Sequence, residues 1–133
     1  MVKDTFEIEV GGPGRSGKKI IIKTTNWAEQ ASGSCLVQCG ETVLMANATL
    51  SPQTREGIDF FPLTVEYEEK FYAAGKIYGS RFLKRESRPS DEAILTARMI
   101  DRAIRPLFPK DFKKEVQVIV TCLSWAGVPT RLL

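Results

Sequence analysis

Between Lys70 and Arg88 the chain sets four aromatic side chains, Phe71, Tyr72, Tyr78 and Phe82, among six cations, Lys70, Lys76, Arg81, Lys84, Arg85 and Arg88. Cations displace counterions from phosphates and flat rings accept unpaired bases, so this mixture suits a single-stranded polyanion. Downstream, Arg98, Arg102 and Arg105 recur at spacings of four and three, which lines them up along one side of a helix. Their planar guanidinium forks match phosphate oxygens better than lysine ammonium groups would. The same residues also admit a structural reading, in which Phe71 and Tyr72 belong to a core and the arginine stripe pairs with Asp101 and other acids.

Charge along the chain is the pattern expected if one face meets a polyanion, and equally that of a solvated charged surface. Lys70 to Lys114 holds twelve basic and five acidic residues, a net of +7, whereas the remainder holds seven and eleven, a net of −4. The whole chain of 133 residues carries only +3, so its positive charge is a local band rather than a general property. Other chemistries are poorly served. The chain has no histidine, which excludes histidine general bases, Ser-His-Asp and Cys-His triads and His-containing zinc sites. Cys35 and Cys39 have three residues between them and no second ligand pair, and Cys122 falls in an apolar run, so the three cysteines read as reduced structural thiols. Glu66, Glu68 and Glu69 could hold a cation, but such runs more often solvate a surface. The run Gly11 to Gly17 leads into a strand, whereas a phosphate-cradling glycine loop opens a helix.

The elements that must position the basic band follow from periodicity. Phe6, Ile8 and Val10 alternate with polar residues as in a half-buried strand, and Lys18 to Thr25 forms the next. Cys35 to Gln38 and Val43 to Leu50 flank a short turn with Gly40, and a polar loop from Ser51 to Gly57 leads to a strand at Phe60 to Tyr67. Pro62 places that strand at an edge or near its start. Ala73 to Ser90 has no period. Ser90 can then cap a helix with Asp91 and Glu92 in its first turn, running to about Arg105 before Pro106. Ala97, Ile100, Ala103, Ile104 and Leu107 are expected to face the sheet. A mostly apolar run, Val116 to Leu123, closes the chain as a central strand. The fold class is therefore α+β, a mostly antiparallel sheet with one long helix packed on it. The start Met1 to Thr5 has no apolar core of a signal peptide, and Val116 to Val128 is too short for a membrane helix, so a cytoplasmic protein with no membrane association is expected.

Four motifs in order, Asp59 to Tyr67, Tyr72 to Ile77, Arg85 to Asp91 and Ile100 to Pro109, with Glu115 to Ile119 after them, closely resemble the first core domain of the bacterial polynucleotide phosphorylase family. The resemblance covers the chain to about Ser124, so residues 1–124 are expected to form an incomplete first ribonuclease-PH-like core domain and residues 125–133 a divergent tail. It implies a processive 3′-to-5′ exoribonuclease that uses inorganic phosphate as co-substrate to release nucleoside diphosphates in mRNA decay. It further implies Mg2+ bound by a second core domain, single-stranded RNA as substrate, a homotrimeric ring and an RNA-degradation assembly among the partners. In this portion the resemblance implies no catalytic residue and no metal ligand. Phe82, Leu83, Lys84 and Arg85 match the family loop that grips RNA, and Arg88, Arg98, Arg102 and Arg105 match arginines facing the RNA and phosphate cleft. The usual loop has two aromatics followed by two arginines; Leu83 and Lys84 replace one of each here, and Arg81 is extra. The isolated chain is expected to be inactive, and a non-catalytic RNA-binding or scaffold role is the alternative.

Overall fold

The computed structural model describes residues 2–11, 17–54, 57–77, 88–109 and 111–125. Six strands form one sheet: β1 (Val2–Val10), β2 (Lys18–Thr25), β3 (Gly33–Cys39), β4 (Thr42–Thr54), β5 (Leu63–Glu69) and β6 (Lys114–Ser124), in the order β1-β2-β3-β4-β6-β5. The helix α1 (Asp91–Ile104) connects β5 to β6. Neighbours pair antiparallel except β5 and β6, which run parallel as a crossover through a helix requires. The α+β layout, the central last strand and the edge position of the Pro62 strand thus match the sequence reading.

Register divides the sheet into two chemically distinct faces, because successive side chains point to opposite sides. One row across it reads Phe6, Ile22, Val37, Leu44, Cys122 and Glu69, and a parallel row runs from Thr24 through Cys35, Ala46 and Val120 to Tyr67. The opposite face carries Lys23, Leu36, Met45, Thr121 and Glu68 in one row, a mixed and more polar set. Helix α1 lies on the apolar face, over edge strand β5. Its Ala93 and Ala97 are buried with Tyr67 and Val120, and Val65, Val118, Leu44, Ala46 and Ile100 pack around them. Small residues at those two turns let the helix approach the strand closely.

Local signals explain the boundaries. Gly40, at φ 61°, makes the β3–β4 turn in a conformation that other residues rarely adopt. The Ser90 hydroxyl accepts a hydrogen bond from the Ala93 N–H at 3.1 Å, capping α1. After Ile104 the chain tightens into a 3₁₀ turn at Arg105–Leu107 with Pro106 inside it. Strand β4 runs through Thr54, past the expected start of a loop, because pairing with β6 resumes at Thr54 opposite Lys114 after a register shift that follows Leu50 opposite Val116. Strand β5 begins at Leu63 rather than Phe60, directly after Pro62, which has no N–H to give a ladder.

The helix face differs from expectation in one respect. Ala97 and Ile100 pack inward, but Ala103 is exposed and Leu107 is 81% exposed. The physical reason is placement: α1 sits over the edge strand, so its sheet meets only a narrow strip of the apolar arc.

Candidate nucleic-acid interface

A cleft of about 880 Å³ separates the outer edge of β5 from α1. Strand β5 forms one wall; Ala93 and Ala97, with Arg98, Asp101 and Arg105 farther along, form the other, and Arg88 to Ser90 lie at the mouth. The Ser90 cap fixes where the helix begins, and therefore where each arginine projects. Arg88, Arg98 and Arg105 line this cleft. Arg102 is exposed and is not among the lining residues, so the stripe of three splits. Phe82, Leu83, Lys84 and Arg85 lie outside the described residues, as does the tail from residue 126 onward.

The cleft arginines differ in how their donors are used. Arg105 holds Asp101 with both ends of its fork, Nη2 to Oδ1 at 2.7 Å and Nε to Oδ2 at 3.1 Å. It also donates to two backbone carbonyls beside it, Nη1 to Phe61 O at 3.0 Å and Nη2 to Leu63 O at 3.4 Å. Its guanidinium carbon stands 5.8 Å from the centre of the Phe61 ring. Arg105 therefore ties the end of α1 to the start of β5, and most of its donors are spent inside the chain. Arg88, Arg98 and Arg102 are exposed and make no hydrogen bond or ion pair among the described residues. Their charge is available to an anion at little desolvation cost beyond that of the anion itself.

Behind Arg105, Phe61 packs on Phe108 and Phe112 with centroids 4.7 and 5.5 Å apart. This aromatic cluster, from a loop and two positions after the helix, has no sequence periodicity and was not expected. The Asp101–Arg105 pair, by contrast, has the four-residue spacing of helical neighbours. Tyr72 is 58% exposed, which removes it from the core and leaves its ring open beside Phe71 and Lys70.

Strand alternation sends Glu66 and Glu68 to one face and Glu69 to the other, and Glu68 pairs with Lys70 at 3.3 Å. Among the described residues no group of three carboxylate, thiol or imidazole side chains could hold a metal ion. The donor set here does not fit a magnesium site. Burial pushes the Cys35 thiol up, and burial followed by the charge of Glu69 does the same for Cys122. Tyr67 is pushed up to about 12, by burial first and then by Cys122 and Glu69. These groups stay protonated at neutral pH, in keeping with packed thiols and a core tyrosine rather than nucleophiles. No helix among the described residues is long and apolar enough to cross a membrane.

The profile of the 3′ exoribonuclease family, domain 1, matches residues 16–132. The chain belongs to that family. Its similar relatives are polyribonucleotide nucleotidyltransferases: it is 58% identical over 120 residues to that of Pelotomaculum thermopropionicum, covering 90% of this chain and 16% of the relative. Against that of Finegoldia magna it is 58% identical over 108 residues, 81% of this chain and 15% of the relative. The chain thus spans about a sixth of the length of these relatives. Among solved structures it resembles a chain of the Archaeoglobus fulgidus exosome with RNA bound to the active site, with TM-score 0.57, 24% identity and coverage of 80% of this chain and 44% of that one. An archaeal exosome core gives 0.52, 23%, 80% and 40% respectively. These likenesses support the ribonuclease-PH-like α+β fold.

Proposed function

We propose that this chain supplies an RNA-facing wall to a phosphorolytic 3′-to-5′ exoribonuclease and contributes no reacting group of its own. In that reaction an oxygen of inorganic phosphate attacks the last phosphodiester, the bond from phosphorus to the 3′ oxygen breaks, and a nucleoside diphosphate leaves. The shortened RNA keeps the electron pair on its 3′ oxygen and takes a proton. Phosphate is the nucleophile, so the lack of histidine is no obstacle. The observation that carries the reading is the pair Arg88 and Arg98, which line the cleft with no protein partner among the described residues. Arg102 and, by the family resemblance alone, Phe82, Leu83, Lys84 and Arg85 are further RNA contacts in this proposal, while Arg105 acts as a positioning residue.

Magnesium, a homotrimeric ring, participation in an RNA-degradation assembly and a cytoplasmic role in mRNA decay belong to the proposed parent enzyme. The test is RNA binding by the 133-residue chain across a salt series. Arg88→Ala and Arg98→Ala should each reduce the slope of log affinity against log salt by about one, as expected when one phosphate contact is lost. Unchanged slopes in both would remove the phosphate contacts. Release of nucleoside diphosphates from poly(A) by the isolated chain would overturn the assignment of the reacting groups to another part.

A further inference from the structure

The 3₁₀ turn Phe71–Ala74, which follows β5, uses its two rings differently. Phe71 lines the cleft, whereas Tyr72 is 58% exposed, and Trp125, just past β6, is 42% exposed. Neither side chain makes a hydrogen bond, and neither ring touches another, among the described residues. We infer that Tyr72 and Trp125 are a stacking platform for unpaired bases of the strand whose phosphates Arg88 and Arg98 hold. The platform presupposes the RNA reading of the cleft and adds two residues that the family resemblance does not assign to RNA.

Both rings are mounted on fixed backbone. Gly75, at φ 66°, closes the turn with its N–H on Tyr72 O at 3.0 Å, the Lys76 N–H bonds Phe71 O at 3.1 Å, and the Trp125 N–H bonds Ala73 O at 3.0 Å. That last bond keeps the Cα atoms of Tyr72 and Trp125 within about 11 Å of each other, so the two rings can serve neighbouring nucleotides. They also stand at the end of the cleft where an anion can be held. Strands β5 and β6 run parallel, so α1 crosses back between them, and its N-terminus, with Arg88 to Ser90, returns to the end of β5 where Lys70 and Phe71 line the cleft. Arg98 follows about 10 Å farther along the helix. Charge then separates the roles. Near the rings, Lys70, Lys76 and Arg88 are offset by Glu68, Glu69, Asp91 and Glu92, with Glu68 paired to Lys70 at 3.3 Å. Such a patch does not gather phosphates by itself. What it offers is two open ring faces, on which an uncharged base gains by stacking.

The experiment measures binding of labelled single-stranded oligo(A) to the 133-residue chain by fluorescence anisotropy, with fold retention followed by circular dichroism. Tyr72→Ala and Trp125→Ala should each weaken binding at least about fivefold. The slope of log affinity against log salt should not change in either, because a ring displaces no counterion. Tyr72→Phe keeps the ring and should stay within about twofold of the parent. In a Trp27→Phe background Trp125 is the sole tryptophan, so its emission reports on the platform without truncating it. Oligo(A) should quench that emission, and inorganic polyphosphate, which has the charge but no bases, should not. Alanine variants within about twofold of the parent overturn the platform, as does Trp125 emission that oligo(A) leaves unchanged or that polyphosphate quenches equally. The platform and the phosphate contacts fail separately. Ring variants without effect beside reduced salt slopes in Arg88→Ala and Arg98→Ala remove the platform alone, whereas unchanged slopes in both arginine variants beside weakened ring variants remove the phosphate contacts alone. No binding of oligo(A) at any salt removes both.

Discussion

Replacing Arg105 with alanine removes a bidentate pair to Asp101 and two donations to the carbonyls of Phe61 and Leu63. Side-chain exposures of 42% for Arg105 and 29% for Asp101 mean that solvent screens the ion pair, which limits it to about 0.5–1 kcal/mol. The bond to Phe61 O is well formed and contributes about 1 kcal/mol net, whereas the longer bond to Leu63 O adds less. The ring contact with Phe61 contributes about 0.5 kcal/mol at such an exposed site. Arg105→Ala is therefore expected to cost about 2 kcal/mol by urea denaturation, with a melting temperature lower by roughly 5–10 °C. Arg105→Lys should recover less than half, because a single ammonium cannot span a carboxylate and two carbonyls. Arg102→Ala, on the same helix and with no hydrogen bond or ion pair among the described residues, should fall within about 0.5 kcal/mol of the parent. The clamp is refuted if Arg105→Ala matches Arg102→Ala, or if lysine restores full stability.

Three further outcomes follow from other parts of the molecule. Ser90→Ala removes the acceptor for the Ala93 N–H and should lower stability by about 1 kcal/mol in the same denaturation assay. Ala97→Leu forces a larger side chain between α1 and Tyr67 and should cost about 1–3 kcal/mol, read as a lower urea midpoint. Tyr67 has its pKa raised on folding, from 10.0 to about 12, so the folded state holds this proton more tightly than the unfolded one. Its contribution is fully present below pH 10 and is lost as pH rises toward 12; Tyr67→Phe should flatten the fall in stability across that window.

Much of the scaffold is legible in local sequence. The alternation of Phe6, Ile8 and Val10, the glycine turn at Gly40, the Ser90 cap and the Pro106 stop each act within a few residues. What escapes is non-local. Nothing near Phe61 announces that it will meet Phe108 and Phe112, since a three-ring cluster has no period. Arg105 sits at a spacing that fits both an outward stripe and a pair with Asp101. The choice is made by carbonyls more than forty residues earlier, at the start of β5. Similarly, the apolar arc of α1 shows that the helix packs on a sheet, but not that it lands on an edge strand and leaves Ala103 and Leu107 uncovered.

The position of β6 carries a kinetic consequence. The last strand in the chain lies between β4 and β5, so the β1–β4 meander and the β5–α1 unit have no shared ladder until it inserts. One unit can assemble from near-neighbour hairpins, while the other must hold its strand and helix in reserve across a long closure. On a ribosome the two halves would coexist as separate apolar surfaces until residues 114–124 emerge. The slow step of folding should then be threading of this strand, and substitutions in β6 should retard folding more than equally destabilising ones in β1.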